Sequence, residues 1–95
     1  MVRPIKPRFL QGVPCVEYFK PQGIPLKALQ EVVLTPDEFE AIRLHDDDGL
    51  DQITAAKRMC ISQPTFARIL QRAYKKMAQA LVHGMAIRIE RPVAR

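Results

Sequence analysis

The side chains best suited to a binding chemistry lie between residues 62 and 76, where basic residues recur at helical spacing. Arg68, Arg72 and Lys75 are separated by four and three residues, so a helix would align them in one cationic stripe. Such groups pair with phosphate oxygens, and a guanidinium also binds guanine through two hydrogen bonds. The stripe is typical of a surface that binds a polyanion, and a solvated helix face is the alternative.

Polar residues precede this stripe, in what would be the first turn of the same helix. In a helix that enters the major groove of DNA, the N-terminal part reads base edges and later basic residues contact phosphates. The predicted base-reading residues are Gln63, Thr65, Ala67 and Arg68. The predicted phosphate contacts are Ser62, Arg72, Lys75 and Lys76, with Arg3, Lys6 and Arg8 near the N-terminus.

The residues around the stripe match the needs of a helix-turn-helix. Two closely crossing helices require a small residue in the first, a tight turn, and apolar anchors in the second. Ala56, Cys60 and the pair Phe66 and Ile69 stand at these positions. Glycine is usual in the turn, since a positive φ costs a residue with a β-carbon about 1 kcal/mol. We therefore expect either strain at Cys60 or a different turn geometry, and an ordinary helical hairpin is the alternative fold.

The first of three predicted helices begins at a capping box, Thr35-Pro36-Asp37-Glu38. It should end at about His45, before a cap at Gly49, and bury Phe39, Ala41 and Ile42.

The second and third helices also carry capping residues. Asp51 and Ser62 are suitable N-caps, and Gly84 is a suitable left-handed C-cap. The recognition helix is therefore predicted over about residues 62–82. The side chains of the second helix predicted to face inward are Ile53, Ala56 and Met59.

The segments that flank the helices are less regular. Residues 15–19 and 85–90 are strand candidates that would pair with each other. Residues 24–33 are apolar without a period, and a helical turn through Leu26, Leu29 and Val33 is one interpretation. We expect a basic arm with a short strand and turn over 1–33, a helix-turn-helix domain over 34–84, and a C-terminal strand and tail over 85–95. The expected fold class is mainly α: a three-helix, winged-helix-like helix-turn-helix domain with an N-terminal extended arm and short terminal strands.

The charge is divided into three blocks. Residues 1–27 carry five basic residues against one acid, residues 28–51 carry one against eight, and residues 52–95 carry nine against one. The net charges are therefore +4, −7 and +8. Basic ends with an acidic middle would orient the protein on a polyanion such as DNA.

Length and composition argue against several other classes. A chain of 95 residues is small for a deep catalytic cleft, so we do not expect an enzyme. The sequence has no apolar run of about 20 residues and no secretory signal, which predicts a cytoplasmic protein without a membrane partner. Two distant cysteines predict free thiols, and the histidines and cysteines lack the paired spacing of a zinc site, so neither a cofactor nor a metal is expected.

The sequence also resembles a known family at four places. These are Arg3-Pro4, the stretch from Tyr18 to Leu26, Glu31 to Thr35, and Ser62 to Leu70. With these motifs the chain resembles small uncharacterised prokaryotic proteins predicted to bind DNA, and the last stretch is similar to sigma factor region 4. That resemblance implies a region-4-like helix-turn-helix, with promoter-reading positions at Gln63, Pro64 and Arg68.

The predicted function is sequence-specific binding of double-stranded DNA by a transcription regulator. Two alternatives stay open. One is a protein-interaction module that docks on RNA polymerase or other transcription proteins, and the other is binding of structured RNA. A homodimer through the end of the third helix or the 85–90 strand is a further expectation, since such proteins often read two half-sites.

Overall fold

The structure is a computed structural model that describes residues 16–92 and combines three helices with a small sheet. The strands are β1 (Tyr18–Phe19), β2 (Glu31–Leu34) and β3 (Ala86–Ile89). The helices are α1 (Pro36–Ile42), α2 (Gln52–Arg58) and α3 (Gln63–His83). Arg3, Lys6, Arg8 and Cys15 lie outside the described residues.

The predicted capping box starts α1. The Thr35 hydroxyl accepts from the Glu38 backbone N–H over 3.3 Å, and the Glu38 carboxylate accepts from the Thr35 N–H over 2.9 Å. A wider π-helical turn, Arg43–Asp47, extends the helical segment two residues past the predicted end at His45. The His45 ring bonds the Leu50 carbonyl over 2.7 Å, which fixes the chain reversal after this turn.

The other predicted caps are also confirmed. Asp51 accepts from the Thr54 N–H over 2.7 Å, and Ser62 accepts from the Thr65 N–H over 3.3 Å. Gly84 ends α3 with a φ of 66°, the left-handed conformation that glycine adopts without steric cost. The boundaries of α2 and α3 are therefore set by local hydrogen bonds that the sequence already contains.

The helices enclose the larger of two apolar clusters in the described chain. Its buried members are Ala41, Leu44, Ala55, Ala56, Phe66, Ile69 and Leu70. The prediction that Ile53 faces inward was wrong, because 61 % of its surface is exposed. At 100° per residue, the inward face of α2 is centred between Ala55, Ala56 and Met59, and Ile53 falls more than a quarter-turn away from it.

The three strands form one sheet in the order β1-β3-β2. β1 pairs with β3, as expected, and the pairing is antiparallel with Tyr18 opposite Arg88. β2 pairs parallel with β3, with Leu34 opposite Ile89, and both residues pack against Ala73 of α3. The sheet thus joins strands from both ends of the described chain to the second half of α3.

Strand β2 replaces the helical turn that was one interpretation of residues 24–33. A short 3-10 turn does occur at Leu26–Ala28, but Val33 lies in the strand, so that interpretation was wrong there. Its partner β3 lies about 55 positions later in the sequence, and no local pattern reveals such a pairing. Across residues 16–92, none of the helices has the length and apolarity needed to span a membrane.

Candidate nucleic-acid interface

The connection between α2 and α3 is a tight turn that contains Cys60. Cys60 has a φ of 60°, and it is the only non-glycine residue with positive φ among those described. The Cys60 N–H donates to the Lys57 carbonyl and the Ile61 N–H donates to the Ala56 carbonyl, both over 3.0 Å. The strain expected at this position is therefore present, held in place by two backbone hydrogen bonds.

Small residues let α2 and α3 approach closely. Ala55 and Ala56 are buried at their contact, and both predicted anchors, Phe66 and Ile69, point into the core. Arg68 lies between the two anchors in sequence, so the helix turns its side chain away from the core. Burial of the apolar face of α3 in the core therefore orients Arg68 toward the outer face of the helix.

The outer face of α3 carries the predicted stripe. A shallow, open depression on this face is lined by Arg68, Gln71, Arg72 and Lys75, all of which are exposed. Within residues 16–92, Arg68 and Lys75 form no salt bridge. Their charges are therefore available to an anion in solution.

Arg72 and Lys76 converge instead on a fully buried carboxylate, Glu38. Lys76 Nζ lies 2.8 Å from Glu38 Oε1 and donates to the Val33 carbonyl over 2.7 Å, while Arg72 Nε lies 3.2 Å from Glu38 Oε2. Burial alone would raise the pKa of Glu38. Hydrogen bonds from Lys76, the Thr35 backbone and Arg72 outweigh it, so the pKa lies below its usual value.

The hydrogen bonds to Glu38 affect two of the predicted phosphate contacts, Lys76 and Arg72, to different extents. Two of the three N–H donors of Lys76 bond to the Val33 carbonyl and the Glu38 carboxylate, so this side chain links α3 to β2 and α1. Arg72 remains 56 % exposed and bonds Glu38 through Nε, which leaves its terminal nitrogens at the surface. Phosphate binding by either residue stays a prediction.

The predicted base-reading residues lie together at the start of α3. Gln63 is exposed, and its Nε2 donates to Gln52 Oε1 over 2.7 Å. Thr65 is half-buried and accepts from the Ser62 hydroxyl over 2.9 Å, which ties both side chains to the helix cap. Ala67 is half-buried and Arg68 is exposed. The Gln52–Gln63 bond could not be predicted from the sequence, because no local pattern links side chains 11 positions apart on two different helices.

Apart from Glu38, three acids of the middle block bond to groups other than Arg68 and Lys75. Asp46 accepts from the Tyr74 hydroxyl over 2.6 and 2.9 Å, and burial together with this bond raises the pKa of Tyr74 to about 12. Arg43 pairs with Glu40 over 2.8 Å and with Asp48 over 3.2 Å. These acids therefore do not neutralise the cationic face of α3.

Two other features of residues 16–92 bear on metal binding and on thiol chemistry. No group of three His, Cys, Asp or Glu side chains in this part of the chain is placed to hold a metal ion. Cys60 is an exposed free thiol. The exposed face of α3 and the helix termini beside it thus form the candidate site.

Comparison with known proteins identifies relatives over nearly the whole chain. A family model described as a protein of unknown function, DUF134, matches residues 1–91. A UPF0251 protein of Caldanaerobacter subterraneus subsp. tengcongensis is 54 % identical over 90 residues, which cover 95 % of this chain and 76 % of the relative. UPF0251 proteins of Moorella thermoacetica and Desulforudis audaxviator are 53 % and 56 % identical, over 60 % and 59 % of their lengths.

No solved structure matches the chain. The expected resemblance to an uncharacterised prokaryotic family is confirmed by these relatives, whose names assign no activity. On the match over residues 1–91, this chain belongs to the DUF134 family of proteins of unknown function, whose members in these organisms carry the name UPF0251.

Proposed function

We propose that this protein binds double-stranded DNA sequence-specifically, with the outer face of α3 in the major groove, and that it regulates transcription. The observation that carries the proposal is the orientation of α3. Phe66 and Ile69 are buried while Arg68 and Lys75 are exposed on the opposite side and unpaired within residues 16–92. We further assign α2, the Cys60 turn and α3 to a helix-turn-helix of the sigma region 4 type.

The charge distribution supports this docking. Cationic groups at exposed positions release counterions when they meet phosphates, which makes binding favourable and dependent on salt. The N-terminal part of α3 enters the groove with Gln63 and Arg68, while Arg72 and Lys75 contact the flanking backbone. The acidic side chains near α1 repel the polyanion from the wrong face.

Fluorescence anisotropy on duplexes obtained by binding-site selection tests the proposal. Arg68→Ala should cost about 1–3 kcal/mol on the selected duplex and much less on a scrambled one, because a bidentate base contact is lost. Arg88→Ala is the matched control, since it also removes one arginine but lies on the sheet beside Glu31. Equal losses on both duplexes for Arg68→Ala would reject its base-reading role.

A protein-interaction function is the second candidate, because one surface favours it. Leu81 and Val82 are adjacent and 79 % and 76 % exposed at the end of α3, and contiguous exposed apolar surface is a feature of protein contacts. A pulldown of transcription proteins that survives nuclease treatment, with no duplex affinity at moderate salt, would support this candidate. Competition between duplex DNA and structured RNA for the protein shows which of the two it prefers, and so tests the RNA alternative.

A further inference from the structure

A hydrogen bond joins the N-terminal ends of α2 and α3. Gln52 is the first residue of α2 and Gln63 the first of α3, and the Gln63 amide donates to the Gln52 carbonyl oxygen over 2.7 Å. Gln52 is half-buried, so its side chain has less freedom than that of the exposed Gln63. The bond therefore restrains a long surface side chain that would otherwise sample several rotamers.

We propose that Gln52 is a positioning residue that orients the Gln63 amide to read adenine in the major groove. The inference rests on the DNA binding proposed above. A side chain that is already restrained loses less conformational entropy when it meets a base, so its contact discriminates more strongly between sequences.

The unused hydrogen-bonding groups of Gln63 match those of adenine. The major-groove edge of adenine presents N7 as an acceptor and the N6 amino group as a donor. The Gln63 amide has two N–H donors and one carbonyl oxygen, and only one N–H is used by Gln52. The second N–H pairs with N7 and the oxygen accepts from N6, so all groups are satisfied together.

The same bond disfavours guanine. Guanine presents two acceptors, N7 and O6, so an amide satisfies both only by turning both of its N–H donors toward the base. One donor of Gln63 is already committed to Gln52, and turning the amide would break that bond. Gln63 therefore favours adenine for two reasons: it forms two hydrogen bonds with adenine, and binding guanine would break its bond to Gln52.

The test measures dissociation constants of the full chain by anisotropy on four duplexes. They carry each of the four base pairs at the position whose preference disappears in Gln63→Ala, within a site obtained by selection. Wild type should prefer adenine over guanine there by roughly 5- to 150-fold. Gln52→Leu removes the acceptor and should reduce that preference by about 3- to 10-fold.

Two further variants separate positioning from folding and charge. Gln52→Glu keeps an acceptor for Gln63, so it should retain the adenine preference while binding all four duplexes more weakly through charge repulsion. Gln22→Leu makes the same change at an exposed turn position and should alter nothing. If thermal melting shows that Gln52→Leu is unstable, Gln52→Ser replaces it with the same expectation.

The possible results separate failure of the proposed role of Gln52 from failure of the proposed DNA binding. Absence of duplex binding by wild type rejects the proposed DNA binding and this inference with it. Normal binding with no adenine-preferring position, or equal effects of Gln52→Leu on all four duplexes, overturns the role of Gln52 alone. Loss of the preference in Gln52→Glu as well would also contradict positioning through an acceptor.

Discussion

At the scale of single residues, Glu38 has a central structural role. Its carboxylate is fully buried, caps α1, and receives hydrogen bonds from two side chains of α3. A carboxylate in this position connects the start of α1, the end of β2 and the middle of α3. It therefore fixes the direction in which Arg72 leaves the helix.

Glu38→Gln should destabilise the protein at neutral pH by about 1–3 kcal/mol, since charge-assisted bonds to Arg72 and Lys76 become neutral ones. The folded-state pKa of Glu38 lies below its ordinary value. Its contribution is therefore complete above the unfolded pKa and disappears as the pH falls through the folded pKa. Denaturant unfolding of both proteins between pH 7 and pH 3 should give curves that converge in acid, and parallel curves would contradict this.

Cys60 offers a second test at this scale, because its φ of 60° is strained for a residue with a β-carbon. Cys60→Gly should be more stable than Cys60→Ala by roughly 0.5–1 kcal/mol, since alanine keeps the strain and glycine removes it. Urea unfolding of the two variants gives the difference directly. Equal stability would mean that the turn relaxes without cost.

At the scale of elements, the contact between α2 and α3 depends on small side chains. Ala56→Leu should cost about 1–3 kcal/mol by overpacking the crossing, and it should weaken duplex binding by displacing α3. Ala78→Leu is the matched control at an exposed position of α3 and should change stability by less than about 0.5 kcal/mol. Thermal unfolding and anisotropy measure both effects, and an unaffected Ala56→Leu would argue against close packing.

Among the elements, the features set by neighbouring residues could be predicted from the sequence. The caps at Thr35, Asp51 and Ser62 and the anchors Phe66 and Ile69 were predicted because each depends on neighbours within one or two helical turns. The remaining features depend on partners far away in the chain. The parallel pairing of β2 and the burial of Glu38 by Arg72 and Lys76 both join residues more than 30 positions apart.

The outward stripe followed from helical periodicity, but the periodicity could not separate its members. Arg72 bonds the buried Glu38, whereas Arg68 and Lys75 are unpaired within the described chain. The inward prediction for Ile53 failed because three-residue spacing in a two-turn helix fits more than one face. A longer helix such as α3 leaves no such ambiguity.

At the scale of the whole molecule, the predicted homodimer stays a prediction for the end of α3 but not for the 85–90 strand, because β3 is paired on both sides by β1 and β2. Leu81 and Val82 provide exposed apolar surface near one end of α3, about 25–30 Å along the helix from Gln63. Pairing of two copies there would leave both base-reading ends free, as two half-sites require. Sedimentation velocity at tens of micromolar should show a dimer that Leu81→Glu dissociates and Gln79→Glu does not, and a monomeric wild type would contradict this.

The central claim is that the outer face of α3 meets the major groove, and an NMR titration tests it most directly. Backbone amide shifts of the labelled protein are followed as a selected duplex is added at moderate salt. The largest shift changes should map to residues 62–75, and the amides of β3, at Ala86–Ile89, should change little. Changes confined to the sheet, or absent altogether, would contradict it.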